Sequence, residues 1–223
     1  VDLGEDLAIG HGYEDLGTDV PKAPMNAIPR PDDHLRRRIR TSMQGMGFMQ
    51  IQSLTLSNDF DQFERMRWKP FNAITRITNP ITQDHTMMRH FLLPGLLKLL
   101  SSNRHHDLPQ SVYELGTVVR DHANMDRLAF LTAERIGGFA SIRGRIQAFL
   151  RDIGAENVVI EALPANEGPW LAGRAARVLL NGEWGGCFGE IDPSISESFE
   201  LLVPLNGAEF DVEALKSTIT DPV

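Results

Sequence analysis

The chain has a single cysteine, Cys187. That excludes an internal disulfide and any zinc site built on several thiolates. Aromatic residues are scarce, at 7%, so Leu, Ile, Val, Met and Ala must fill most of the core. No long hydrophobic run is present. The stretch at residues 91–100 is broken by Pro94, Gly95 and Lys98, well short of the roughly 20 residues a membrane span needs. There is no excess of positive charge either. A net charge of −8 disfavours non-specific nucleic-acid binding, which draws its strength from clustered Lys and Arg. The first residues lack the basic start and apolar run of a signal peptide. These absences predict a protein of the reducing cytoplasm with no membrane partner. What remains, 223 residues with 42% hydrophobic content, suffices for one large domain or two small ones with a real core. A chain that opens on Val1 reads as a piece of something longer.

Pro21, Pro24, Pro29 and Pro31 crowd one segment and make it an extended linker. The expected division is therefore residues 1–31, a short helix followed by this linker, and a main domain at residues 32–223. In the first part, Leu3, Leu7 and Ile9 give a short helix an apolar stripe that Gly10 and Gly12 should stop. In the second, Leu35, Ile39, Met43 and Met46 recur at helical spacing over residues 32–46, with Asp32 or Asp33 as the cap. Alternation predicts strands at 48–56, 73–78, 111–119, 127–136, 158–162, 175–181, 183–191 and 208–212. Further helices are expected at 57–66, 85–103, 141–153 and 192–199, the first capped by Ser57 or Asn58, with a terminal turn or helix at 211–217. Pro94 should start the regular part of the helix at 85–103 or kink it. Asn181-Gly182 is a strong hairpin turn. Hairpins and the irregular order of elements predict an α+β fold with a mostly antiparallel sheet and helices packed on it.

Few residues carry a chemical signature. Asp2, Glu5 and Asp6 share one helix face if helical, where three carboxylates repel unless a hard cation such as Mg²⁺ offsets them. A solvated acidic first turn explains the same spacing. The basic run at residues 34–40 can meet phosphate or line an interface, but it also suits a solvated helix face. His105 and His106 are adjacent, and adjacent side chains on a helix diverge. His85 and His90 are five apart and fail the same-face test for a metal pair. Cys187 sits in a strand and reads as buried and inert. No phosphate loop, dinucleotide fingerprint or nucleophile elbow occurs.

The order of several segments nevertheless resembles a known family. These are Asn79-Pro80-Ile81-Thr82-Gln83-Asp84, Met88-Arg89, Leu92-Leu93-Pro94-Gly95-Leu96-Leu97, Asn103-Arg104 and Tyr113-Glu114-Leu115-Gly116. Gly185-Gly186-Cys187-Phe188-Gly189-Glu190-Ile191-Asp192-Pro193 and Phe210-Asp211-Val212-Glu213-Ala214-Leu215 continue the series. Together with the opening residues 2–13, they are similar to the beta subunits of phenylalanine–tRNA ligase, of the archaeal and eukaryotic type, across nearly the whole chain.

That resemblance implies a C-terminal catalytic-like module: an antiparallel sheet flanked by helices, of the class II aminoacyl-tRNA synthetase kind, without the chemistry. Residues 1–31 would then be the end of the preceding beta-subunit domain and its linker. The alpha subunit would bind ATP and phenylalanine and charge tRNA(Phe), and the two subunits would form an (αβ)₂ assembly. The first long helix would face the partner with its apolar stripe, Ile39 and Met43 included, and with its arginines. An active class II site needs one Arg on the ATP α-phosphate and another on the γ-phosphate, because phosphoryl charge must be offset. The matching segments show neither, and Arg120 lies near the first position but out of register. No catalytic or nucleotide-binding residue is therefore assigned. The resemblance also implies a Mg²⁺ shared with the alpha subunit, with Asp2, Glu5 and Asp6 as its matching ligands. Two other functions remain open: a self-sufficient adenylate-forming ligase domain of class II type, and a synthetase-like interaction scaffold.

Overall fold

The computed structural model describes residues 2–17, 33–164 and 167–219. The chain divides into two compact units, Val1–Pro31 and Asp32–Val223. The first contains helix α1 (Asp2–His11) and one 3₁₀ turn at Tyr13–Asp15. Helix α1 runs through Gly10, and the positive φ of Gly12 follows its end. Leu3 and Leu7 are exposed on it. The proline-rich linker lies mostly outside the described residues.

The second unit is built on a seven-stranded sheet in the order β1 (Met49–Gln50), β4 (Gln110–Arg120), β5 (Ala123–Ala133), β9 (Leu205–Asp211), β8 (Glu183–Ile191), β7 (Trp170–Leu180), β6 (Val158–Ala162). All neighbours are antiparallel except β1 and β4, which run parallel through Met49↔Val112 and Gln50↔Tyr113. The expected α+β fold with a mostly antiparallel sheet is thus present, with one parallel edge strand. Asn181 and Gly182, both at positive φ, turn β7 into β8. Asp121 and His122 do the same between β4 and β5. This second tight turn lacks the Asn-Gly signature of a hairpin.

Period-two alternation divides the long strands between two faces. One face carries Tyr113, Leu128, Phe130, Phe188 and Phe210 beneath α2 (Asp33–Gly45), α4 (Phe139–Asp152) and α6 (Val212–Lys216). Ile142, Ile146, Phe149 and Leu150 of α4 point into this core as their spacing required. The other face packs Val118, Ala129, Leu131 and Leu205 against α3 (Leu93–Ser102) and α5 (Pro193–Ser198).

Several local expectations are corrected. Residues 85–92 are not helical: Met87 and Met88 form β3, paired with β2 (Leu56–Ser57). Pro94 starts the regular helix, one of its two expected roles, and lies in the first turn. Proline lacks the amide an interior helical position needs, so it starts a helix more readily than it interrupts one. Residues 73–78 supply one isolated bridge, Arg76↔Met87, instead of a strand. The strand expected at 48–56 shortens to β1 and β2 with an irregular segment between them. Asn58 caps the following turn by accepting from the Asp61 amide at 2.8 Å, and the turn Phe60–Glu64 is π-helical.

The face assigned to α2 is also corrected. Ile39 and Met43 are fully buried in the unit's own core. Ser42 is buried beside them, while Arg37, Thr41 and Gln44 face solvent. The apolar stripe of α2 is committed to the sheet beneath it and cannot also face a partner.

Candidate functional site

Three of the segments singled out by their order in the sequence, at residues 88–89, 92–97 and 113–116, contribute to a polar layer on the α3 side of the sheet. Arg89 Nη1 donates to Glu114 Oε1 at 2.7 Å, and its Nε donates to the Thr117 carbonyl at 2.8 Å. A Cβ at Gly116 would lie 2.6 Å from Arg89 Nη2. Only glycine leaves room for the pair, which explains the run from Glu114 to Gly116. Gln62 Oε1 accepts from the His90 and Phe91 amides at 2.9 and 2.8 Å. Glu209 Oε2 accepts from the Leu92 and Leu93 amides at 3.1 Å each. The first amides of α3 have no partner within the helix, so a carboxylate there satisfies them and suits the helix dipole.

Beside this layer lies a cavity of about 540 Å³. Its floor is the sheet, with Arg120 from β4, Arg127 from β5, Cys187 from β8 and Glu209 from β9, all on the same alternation face. Trp68, Trp170 and Trp184 contribute to its walls, as do Phe71 and Phe91. Arg120 lies over both the Phe71 and Phe91 rings, 4.7 Å from each centroid, and donates Nε and Nη2 to the His90 carbonyl. Burial, with Arg127 nearby, lowers its pKa to about 10. Arg127 is 2% exposed and pairs through Nη2 with Asp211 at 3.2 Å. Its Nε and Nη1 have no hydrogen-bond partner, and neither has Glu209 Oε1. Burial pushes the Glu209 carboxyl above the usual range, against the pull of Arg127 and Arg120. Burial likewise raises the Cys187 thiol to about 12, aided by the Glu209 charge. Cys187 is therefore buried and inert, as its strand position suggested.

Arg120 thus faces a pocket, although the sequence comparison left it out of register. Arg127 and Glu209 belong to no motif of the sequence. A signal for Glu209 existed: it stands inside a strand whose neighbours Ala208 and Phe210 are apolar, and β9 is buried on both faces. A charge in such a strand needs a partner or a purpose.

The other candidates are dispersed. Glu5 and Asp6 are exposed on α1, and the Asp2 side chain lies outside the described residues. No group of three or more His, Cys, Asp or Glu side chains able to hold a metal exists among the described residues. His105 and His106 are exposed past the end of α3. His90 is fully buried, whereas His85 is half-buried. Of the basic run, Arg36 pairs with Asp126 and Arg37 is exposed. Among the described residues, no helix is long and apolar enough to cross a membrane.

Residues 16–212 match the family described as the phenylalanyl tRNA synthetase beta chain CLM domain. Over 219 residues the chain is 34% identical to the phenylalanine–tRNA ligase beta subunit of Archaeoglobus fulgidus, covering 97% of this chain and 40% of that protein. The beta subunit of Methanothrix thermoacetophila is 35% identical over 211 residues, covering 95% of this chain and 38% of that protein. That of Korarchaeum cryptofilum is 30% identical over 231 residues, covering 100% and 40%. The chain spans about two fifths of the length of these curated relatives. By the extent of these matches, the chain belongs to the phenylalanyl tRNA synthetase beta chain CLM domain family.

Proposed function

We propose that the chain acts as the C-terminal, non-catalytic module of a cytoplasmic phenylalanine–tRNA ligase beta subunit. Its architecture is of the class II synthetase kind, and residues 1–31 are the end of the preceding domain and its linker. It supports ATP-dependent attachment of phenylalanine to tRNA(Phe) by packing against the catalytic alpha subunit in an (αβ)₂ assembly, with ATP bound by alpha. The observation that carries this reading is the family match over residues 16–212.

The contact surface must lie away from the buried stripe of α2. Met49 on the edge strand, Leu54 beyond it and Ile81 in the following loop are 69%, 61% and 100% exposed. Exposed apolar side chains of this size are what a partner subunit covers. Glu5 and Asp6 offer oxygen donors in water-facing positions. That donor chemistry suits Mg²⁺, which keeps several waters and takes few carboxylates. Asp2, Glu5 and Asp6 would hold the ion together with groups outside this chain, and the ion would supply local charge neutralisation at the subunit boundary.

The test is co-expression with an alpha subunit, followed by size-exclusion chromatography. The chain should co-elute with alpha, and the double variant Met49→Asp, Ile81→Asp should elute alone with unchanged circular dichroism. Absence of co-elution for the unaltered chain would overturn the reading. Phenylalanine-dependent pyrophosphate exchange by the isolated chain would establish the self-sufficient ligase instead.

A further inference from the structure

We infer that the cavity over Arg127 and Glu209 is a binding site for a small flat aromatic anion that also carries a hydrogen-bond donor. Three independent features of the cavity point to this chemistry.

The first is the state of its charged groups. Arg127 is 2% exposed, and two of its guanidinium nitrogens, Nε and Nη1, have no acceptor. Glu209 is also 2% exposed, and its Oε1 has no donor. Buried polar atoms left unpaired cost free energy, and a buried guanidinium costs more than a neutral group. An anionic group from outside would satisfy Arg127, and an N–H or O–H on the same molecule would satisfy Glu209. Asp211 engages Nη2 of Arg127, and the charges of Arg127 and Glu209 offset each other in part, but no hydrogen bond reaches Nε, Nη1 or Oε1.

The second is the wall. Trp68, Trp170 and Trp184 all border the cavity, and they are all the tryptophans of the chain. The Trp68 ring stacks on Phe91 with centroids 3.9 Å apart, and Trp184 lies under the Arg127 guanidinium at 5.4 Å. Trp184 remains 45% exposed at the mouth. Rigid aromatic faces beside an arginine are the surroundings in which a flat π-system stacks.

The third is size and access. A volume of about 540 Å³ lies within the range of roughly 300–1,000 Å³ typical of small-molecule sites. An aromatic carboxylate and a nucleoside monophosphate share the required chemistry, and the experiment separates them.

Because every tryptophan borders the cavity, ¹⁹F NMR of the 223-residue chain labelled with 5-fluorotryptophan reads this site and little else. Titration with 4-aminobenzoate and, separately, with AMP should give saturable shifts with half-saturation at or below about 1 mM. Saturation by one probe alone supports the site and names the carboxylate or the phosphate as its anion; saturation by both supports the shared chemistry. Inorganic phosphate at the same concentrations should not saturate. Arg127→Met should weaken binding at least tenfold. Should that variant fail to fold, Trp184→Ala at the mouth should weaken it severalfold in a folded chain. No saturable shift with either organic probe would overturn the inference. So would full binding by a folded Arg127→Met variant, or equal saturation by inorganic phosphate.

Discussion

The Arg89 guanidinium and the Glu114 carboxylate meet at 2.7 Å, with side chains 6% and 1% exposed. Arg89 comes from the segment that enters α3 and Glu114 from the second strand of the sheet, so the pair ties a loop to the core. Ser53 joins it, donating its hydroxyl to Glu114 and accepting from Arg89 Nη1 at 2.9 Å. Removing one member leaves the other charge buried. Arg89→Met should therefore lower the unfolding free energy by about 3–5 kcal/mol. Glu114→Gln keeps the shape and should cost less, about 1–3 kcal/mol. Urea titration followed by circular dichroism measures both. Equal, sub-kilocalorie losses would show that the pair contributes little.

Ile39 and Ile81 make a second contrast, being 0% and 100% exposed. Ile39→Ala should cost about 2–5 kcal/mol, through lost burial and a residual cavity. Ile39→Asp should prevent folding, because an unpaired carboxylate would enter the core. Ile81→Asp should change stability by no more than about 0.5 kcal/mol. Thermal unfolding of the three variants decides. A folded, soluble Ile39→Asp chain would contradict the packing of α2.

His90 predicts a pH dependence. Its ring is fully buried among Phe63, Phe71 and Phe91. Burial, and then the charge of Arg120, push its pKa down to about 4 from the ordinary 6.5. The folded chain therefore holds this imidazole neutral where the unfolded chain protonates it. The resulting stability is intact above pH 6.5 and is lost progressively as pH falls toward 4, by about 3 kcal/mol at most. Carboxylates with lowered pKa values, such as Asp61 and Glu134, add losses at the acid end. The informative quantity is thus the difference from His90→Asn, whose urea midpoint should vary less between pH 6.5 and 4. Parallel curves would show that His90 does not titrate as described.

Much of the fold could be read from the residues. Ile142, Ile146, Phe149 and Leu150 placed α4 because a helix packed on a sheet must repeat its apolar face every three or four positions. Asn181 and Gly182 placed a hairpin because both must take positive φ. Short elements were less legible. Met87 and Met88 continue the helical spacing of the leucines after them, yet they pair with Leu56 and Ser57 in a strand. Periodicity over so few residues does not distinguish strand from helix, and the tertiary partner decides.

The site follows the same division. The linear order of several motifs carried the resemblance to the family, and Arg89, Glu114 and Gly116 of those motifs serve one buried pair. It did not reveal that Arg120, Arg127, Cys187 and Glu209, from four different strands, share one face above a cavity. Nor did it show that the stripe of α2 turns inward. Local periodicity specifies which residues lie side by side on an element. Which neighbour that face meets depends on strand order and register, and these are set by contacts between residues far apart in the chain.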